Sequence, residues 1–378
     1  MMKSLKELMD SCLSRLTVKH RFQRLEDFIN HDEESAEFIT SLSDGFEFRM
    51  PDSNSSLYSV AQSRARHSSI SFLMGLVFEE FGGLMQAVGE LLYPEKPECK
   101  YDLWRLTALN HDRGYTSDHL RDSDLKYEEK FQYALLCDSY EENVLKPWGV
   151  DATPPHTLAY TYEEIKGYDS YARKLHTTIW KDDKERIDHG ILGGYILFNE
   201  MIKKCKKDSG ISKFDWLQMR CGSLTIAQHN IFKSPPKTDP GYRKDTDEML
   251  ENEGLFRLMS DSDLRVSSKT PLLLLLSIVD TIECVKRFSK SETDGRYLQT
   301  LTVLRSIQVE VSKERIVLGF SQLREEIKRK NDPSLMKLFD GHLDCLSNLS
   351  TWTTLFAERS GDNIEISLAE GILADVAS

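Results

Sequence analysis

The chain lacks any surplus of basic residues: 49 Lys and Arg stand against 61 Asp and Glu in 378 residues, a formal net charge of −12. Proteins that live on duplex DNA usually displace counterions with a basic excess. A small anionic ligand held by a local site therefore fits this charge balance better than a long polyanion. The cysteines show no pairing pattern either. Cys12, Cys99, Cys137, Cys205, Cys221, Cys284 and Cys345 lie far apart, without a C-x-x-C step and odd in total. That argues against a disulfide framework or a zinc–thiolate finger and fits a reduced compartment. Long hydrophobic runs are missing too. The most apolar stretch, Pro271 to Val279, falls far short of the ~20 residues that a bilayer-spanning helix needs. The segment Met1 to Leu16 is amphipathic and charged throughout, without the apolar centre of a signal peptide. No internal repeat and no low-complexity tract is present. The expectation is a soluble cytoplasmic protein with no membrane partner.

What is present is ordinary globular material, 40% hydrophobic and 29% charged, enough for one large core or two smaller ones. Residues 1–58 read as an N-terminal helical segment, with short helices over Leu5–Leu16, Phe22–Ile29 and Ala36–Leu42. From Val60 to Leu92 a single long helical pattern places Ile70, Leu73, Met74, Val77, Phe78, Phe81, Leu84, Met85 and Val88 at three- and four-residue steps, and Pro94 and Pro97 end it. Residues of about 118–186 have another texture, rich in tyrosine and charge, and read as an insertion: either a cover over a site or a peripheral helical addition. Pro271 to Glu283 is nearly all apolar around Asp280 and reads as a central buried helix. An unpaired carboxylate there costs several kcal/mol, so Asp280 needs either a metal cation or a basic side chain. Arg287, at i+7, is the candidate basic partner. After about Ser289 the pattern turns to strands. Ser306–Val311 and Arg315–Phe320 form a hairpin around a Ser-Lys-Glu turn, and Asn363–Leu368 is a third strand. The architecture expected is mostly α: a helical core over 59–289 and a small C-terminal α+β appendage over 290–378.

Polar residues with ligand chemistry recur on the apolar helices. His67 shares the buried face of Ile70 and Met74. His111 and Asp112 end the apolar run Leu103 to Asn110, and Gly114 follows. His189 shares a face with Leu192 and Ile196, beside Gly190, Gly193 and Gly194, which let another helix approach closely. His229 closes a further helix, and Asp280 sits on the last. Each histidine taken alone is most simply a satisfied core residue. Four histidines and two carboxylates converging in one core have a more economical reading, a binuclear metal site. Imidazole and carboxylate suit iron, manganese, zinc, nickel or cobalt, and the missing thiolates argue against a structural zinc.

The order H…HD…H…H…D resembles the HD superfamily of metal-dependent phosphohydrolases. His111-Asp112-Arg113-Gly114 matches its HD-x-G signature. Asp188-His189-Gly190 to Gly194 resembles an element of the CRISPR-associated HD nucleases and related phosphodiesterases, and Leu276 to Asp280 resembles the family's closing helix. The resemblance covers roughly residues 60–290 and implies an HD-domain helical core. It also implies two divalent metal ions (Mn, Fe, Ni, Co, Zn or Mg). His67, His111, Asp112 and Asp280 would hold the first, and Asp112 would bridge to a second completed by His189 and His229. Metal-activated water would attack phosphorus in line, with His111 and Asp112 at the catalytic centre. The chain departs from the family pattern at Tyr115, where many members have lysine, and at Gln228-His229-Asn230, where members with two metals often carry paired histidines.

The function expected is hydrolysis of a nucleotide, cyclic nucleotide or related phosphoester. The candidate phosphate-facing cations are Arg66, Arg113, Lys233 and Arg287, each equally readable as a surface or structural cation. One alternative is a metal-dependent nuclease for single-stranded nucleic acid. Acidic charge and the absence of an attached helicase count against it. Another is a non-catalytic HD sensor or scaffold, against which the full ligand set counts. Asn110, Asp188 and Glu283 are candidates to orient the ligand rings. The C-terminal appendage is a candidate surface for oligomerisation.

Overall fold

The computed structural model describes residues 2–16, 21–29, 32–42, 58–114, 189–190, 193–194, 197, 218, 221–223, 225–226, 229, 272–289, 297–349 and 355–368. These residues are mostly helical, with a small antiparallel sheet. The tyrosine-rich insertion and Lys233 lie outside them.

Helix α3 (Tyr58–Val77) is the axis of the helical part. Apolar Ile70, Phe72, Leu73 and Met74 are buried, but so are Arg66, His67, Ser68, Ser69 and Ser71. A helix buried on more than one face has to be surrounded. Its neighbours are α1 (Leu5–Ser14), α2 (Asp32–Leu42), α5 (Cys99–Asn110) and α6 (Leu273–Ile282). Helix α6 is the expected central segment, with Leu273 to Val279 all buried. Trp104 on α5 is fully buried and its indole N–H donates to the Phe72 carbonyl at 3.0 Å, fixing α5 against α3.

The long pattern from Val60 to Leu92 is not one helix. It bends by 96° between Ser63–Val77 and Phe81–Glu90. A 3-10 turn, Phe81–Gly83, separates α3 from α4 (Leu84–Leu92), and Gly82 and Gly83 take φ of 60° and 62°. Those are left-handed values that side-chain-bearing residues adopt only under strain. The apolar spacing is preserved across the bend because both helices face the same core, so periodicity alone concealed it. The segment Phe22–Ile29 is likewise only a 3-10 turn, Leu25–Asp27. Among the described residues no single helix is long and apolar enough to cross a membrane.

Helix α7 (Val285–Phe288) leads through α8 (Thr300–Ser306) into the sheet. The expected hairpin forms as β2 (Gln308–Val311) and β3 (Arg315–Gly319), and Asn363–Leu368 is β5. Two strands escaped the sequence reading: β1 (Lys3–Ser4) and β4 (Leu355–Ser360). The order is β1-β2-β3-β5-β4 with antiparallel neighbours. Register places Val309 opposite Leu318, and Ile316 and Leu318 opposite Ile366 and Ile364. All five are buried, so the period-two alternation presents one apolar face. Helices α9 (Ser321–Lys330) and α10 (Pro333–Ser347) supply buried Leu323, Ile327, Leu335, Phe339 and Leu343 to the same core. Between them Asn331 takes φ 52°, and the Asp332 side chain caps α10 ahead of Pro333.

The sheet draws on both ends of the chain. Strand β1 pairs with β2, and the Ser4–Glu7 capping box then starts α1, which packs on α3 and α8. One continuous apolar cluster runs from Leu5 and Met9 through Leu73 and Leu276 to Ile366.

Candidate metal centre

Each ligand candidate lands where a local feature fixes it. His67 projects from the buried middle of α3. His111 is the C-cap of α5 and keeps helical φ/ψ, and Asp112 begins the turn beyond it. This is how sequence neighbours reach one point: the helix ends between them, which frees Asp112 from the ~100° step of the helix. His189 lies in a helical stretch, and His229 in a turn just past helical Thr225 and Ile226. Asp280 lies in the last turn of α6.

The glycines of both motifs hold these pieces together. A Cβ on Gly114 would stand 1.9 Å from the His189 carbonyl oxygen and 2.8 Å from the Gly193 amide. A Cβ on Gly190 would meet the Ile226 carbonyl at 2.8 Å and the His229 ring at 2.9 Å. The close approach expected of Gly190 and Gly193 is therefore an approach to the HD turn and to His229.

The four histidines meet around Asp112, whose two oxygens face different groups, and Asp280 joins them through His67 and His111. Oδ1 lies 3.6 Å from His111 Nε2, 3.6 Å from His189 Nε2 and 3.9 Å from His229 Nε2. Oδ2 lies 3.5 Å from His67 Nε2 and 3.2 Å from the Arg64 guanidinium. His67 Nε2 is 3.0 Å from Asp280 Oδ1 and 3.1 Å from His111 Nε2. Among the described residues two groups of side chains bring ligand atoms close enough to share an ion, His67–His111–Asp280 and His111–Asp112–His229.

Three of the rings are held by their far nitrogens. Nδ1 of His67 donates to Glu283 Oε2 at 2.6 Å, Nδ1 of His111 to the Ala108 carbonyl at 2.7 Å, and Nδ1 of His229 to the Ile226 carbonyl at 2.6 Å. With Nδ1 so engaged, each ring turns Nε2 into the cluster. Carboxylate and carbonyl partners of this kind orient metal-ligating histidines. Among the described residues the donor set is thus imidazole nitrogen and carboxylate oxygen without a thiolate, which fits a first-row divalent ion.

Charge in the cluster is mutually compensated. Burial pushes the Asp112 carboxyl up, but His111, Arg64, His67 and His189 outweigh it and hold it far below the ordinary range. Burial acts likewise on Asp280, which Lys286 and then His67 hold well down, and on Glu283, lowered by His67. His67 moves up: burial and the Lys286 ammonium oppose its charge, yet Glu283, Asp112 and the Asp280 hydrogen bond prevail. Burial dominates at His111, lowered to about 4.

The cations seen paired at the cluster are Arg64 and Lys286. Arg66 is buried and donates to Thr300 Oγ1 at 3.3 Å, tying α3 to α8. Arg113 is half-buried in the turn after His111. Asp280 is paired not with Arg287 but with Lys286, whose Nζ is 2.6 Å from Oδ1. The i+7 extrapolation assumes one helix, whereas the chain breaks at Glu283, with φ −60° and ψ 105°, and restarts as α7. Arg64, three residues before His67, was missed; the signal available was its i−3 position, which shares the His67 face. Of the three ring-orienting candidates Glu283 alone is seen in that role. Asn110 Nδ2 donates to the Leu106 carbonyl of its own helix at 2.7 Å, and Asp188 lies outside the described residues.

No family model, curated protein or solved structure matches the chain. What can be said of its chemistry therefore rests on the site itself.

Proposed function

We propose that the protein is an HD-type metal-dependent phosphohydrolase acting on a nucleotide, cyclic nucleotide or related phosphoester. The observation that carries this reading is the division of Asp112 between two ligand groups. Oδ2 faces His67, which stands with Asp280, and Oδ1 faces His111, His189 and His229. Were two divalent ions bound, His67, His111, Asp112 and Asp280 would hold the first, and Asp112, His189 and His229 the second. When bound, such a pair supplies a water activated at neutral pH and neutralises charge on a phosphoryl group.

The chain's own residues do the rest. Glu283, the Ala108 carbonyl and the Ile226 carbonyl keep three rings in register. Burial excludes competing solvent from His67, His111, Asp112 and His229. Arg64 and Lys286 place positive charge beside Asp112 and Asp280, where an anionic substrate arrives. A site built from imidazole and carboxylate on a chain of net charge −12 selects a small phosphoester over duplex DNA.

The test is metal analysis of wild type and Asp112→Ala, followed by a substrate panel. Wild type should carry or take up manganese, iron or a related ion and hydrolyse bis-p-nitrophenyl phosphate, and Asp112→Ala should do neither. A panel of nucleotides, cyclic dinucleotides and short single strands then names the substrate class. A wild-type protein that takes up no metal and shows no hydrolysis with added manganese ends the proposal.

A further inference from the structure

The side chains of His67, His111, Asp112 and His229 are at most 2% exposed, His189 is 11% exposed and Asp280 24%. One opening is therefore on the Asp280 side, where Lys286 stands, 24% exposed; Arg64, equally exposed, stands on the Asp112 side. Lys286 Nζ touches Asp280 Oδ1, the oxygen that also faces His67 Nε2 at 3.0 Å and His111 Nε2 at 4.0 Å. An ammonium thus sits on the carboxylate oxygen nearest the two imidazoles with which Asp280 would share an ion.

The backbone is built to deliver it there. Glu283 is extended and breaks the helix, its Oε1 accepts from the Val285 amide at 2.6 Å, and its Oε2 from the Lys286 amide at 3.4 Å. The carboxylate that orients His67 also pins the first turn of α7. Sequence periodicity hides this, because Lys286 at i+6 from Asp280 would point away on a continuous helix.

Resting on the metal-hydrolase reading above, we propose that Lys286 is a built-in counter-ion of this centre. It neutralises Asp280 until a divalent ion enters, yields Oδ1 to that ion, and then faces the phosphoryl oxygens of the anion bound at the opening. A buried-edge carboxylate is costly without a cation, and Lys286 meets that need before metal arrives. An ammonium and a dication on one oxygen repel strongly at this separation, so the lysine has to leave. A compact charge on a flexible four-carbon stem can do so without moving the backbone. A phosphate entering by the opening beside it comes within reach of the displaced ammonium.

The alternative is a clip that merely ties α7 to α6, and the two roles predict opposite signs. Calorimetric titration of the full chain with Mn²⁺, then of the Mn²⁺-loaded protein with inorganic phosphate, reads both. Lys286→Met should bind Mn²⁺ about tenfold more tightly and phosphate about tenfold more weakly than wild type. Lys286→Gln should move both affinities the same way, and Lys286→Arg, which keeps the charge, should shift each less than either. Weaker Mn²⁺ binding in the Met and Gln variants, or unchanged phosphate binding, overturns the counter-ion role. If wild type loads Mn²⁺ and Lys286→Met matches it, this inference alone fails. If wild type takes up no Mn²⁺, the metal-hydrolase reading fails and this inference with it.

Discussion

Glu283 accepts a 2.6 Å hydrogen bond from Nδ1 of His67, and both side chains are buried. The bond fixes the ring and leaves Nε2 directed at Asp112 and Asp280. Glu283→Gln keeps the shape and an acceptor but removes the charge. Divalent-metal affinity should fall about 10- to 100-fold, the usual effect of losing a carboxylate behind a ligating histidine. Chelator competition with Mn²⁺ measures it, and unchanged affinity would show that His67 needs no such support.

His189 Nε2 faces Asp112 Oδ1, at 3.6 Å, whereas His67 faces Oδ2. His189→Ala should therefore lower the metal content from about two ions per chain to about one, with hydrolysis largely lost. Elemental analysis after dialysis against manganese decides this. Loss of all metal in the variant would mean that the two groups are not separable.

Gly114 is held against backbone, not against a side chain that can swing aside: its Cβ would meet the His189 carbonyl at 1.9 Å. Gly114→Ala should force the His189 segment away from the HD turn. The expected cost is about 1–3 kcal/mol of stability, typical of overpacking, with reduced metal content. Thermal denaturation and metal analysis of the variant test both effects, and a wild-type melting temperature would contradict the close approach.

His342 lies in α10, fully buried between the rings of Phe288 and Phe320 at 6.0 Å each, and neither ring nitrogen has a hydrogen-bond partner. Burial, with Arg287 nearby, pushes its pKa down from 6.5 to about 3. The unfolded chain takes up a proton near 6.5 while the folded protein refuses it until about 3. The contribution is therefore present in full above about 6.5 and is lost as pH falls through that window. His342→Phe should flatten the decline between these limits and add about 1–3 kcal/mol at neutral pH by removing an unsatisfied buried group. Urea midpoints from pH 8 to 3 provide the check, and parallel curves would exclude His342 as the source.

The residues of the cluster were legible in the sequence because each is a polar side chain on an apolar segment. His67 beside Ile70, His111-Asp112 after Leu109 and Asp280 after Val279 each had to be compensated once buried, and burial is what apolar periodicity reports. The hairpin and β5 were legible for the same reason, since alternation marks a sheet with one covered face. Sequence alone therefore determined which residues meet and which nitrogen and oxygen donors they bring. Tertiary structure decided what surrounds them. Glu283 breaks the helix, so Lys286 and not Arg287 reaches Asp280. Gly82 and Gly83 bend one apparent helix into two, and Lys3–Ser4 pairs with Gln308 and Val309. These outcomes depend on where a helix stops and on strand partners some three hundred residues away. Periodicity carries the direction of a side chain within an element, but not the place where the element ends or which distant element it will meet.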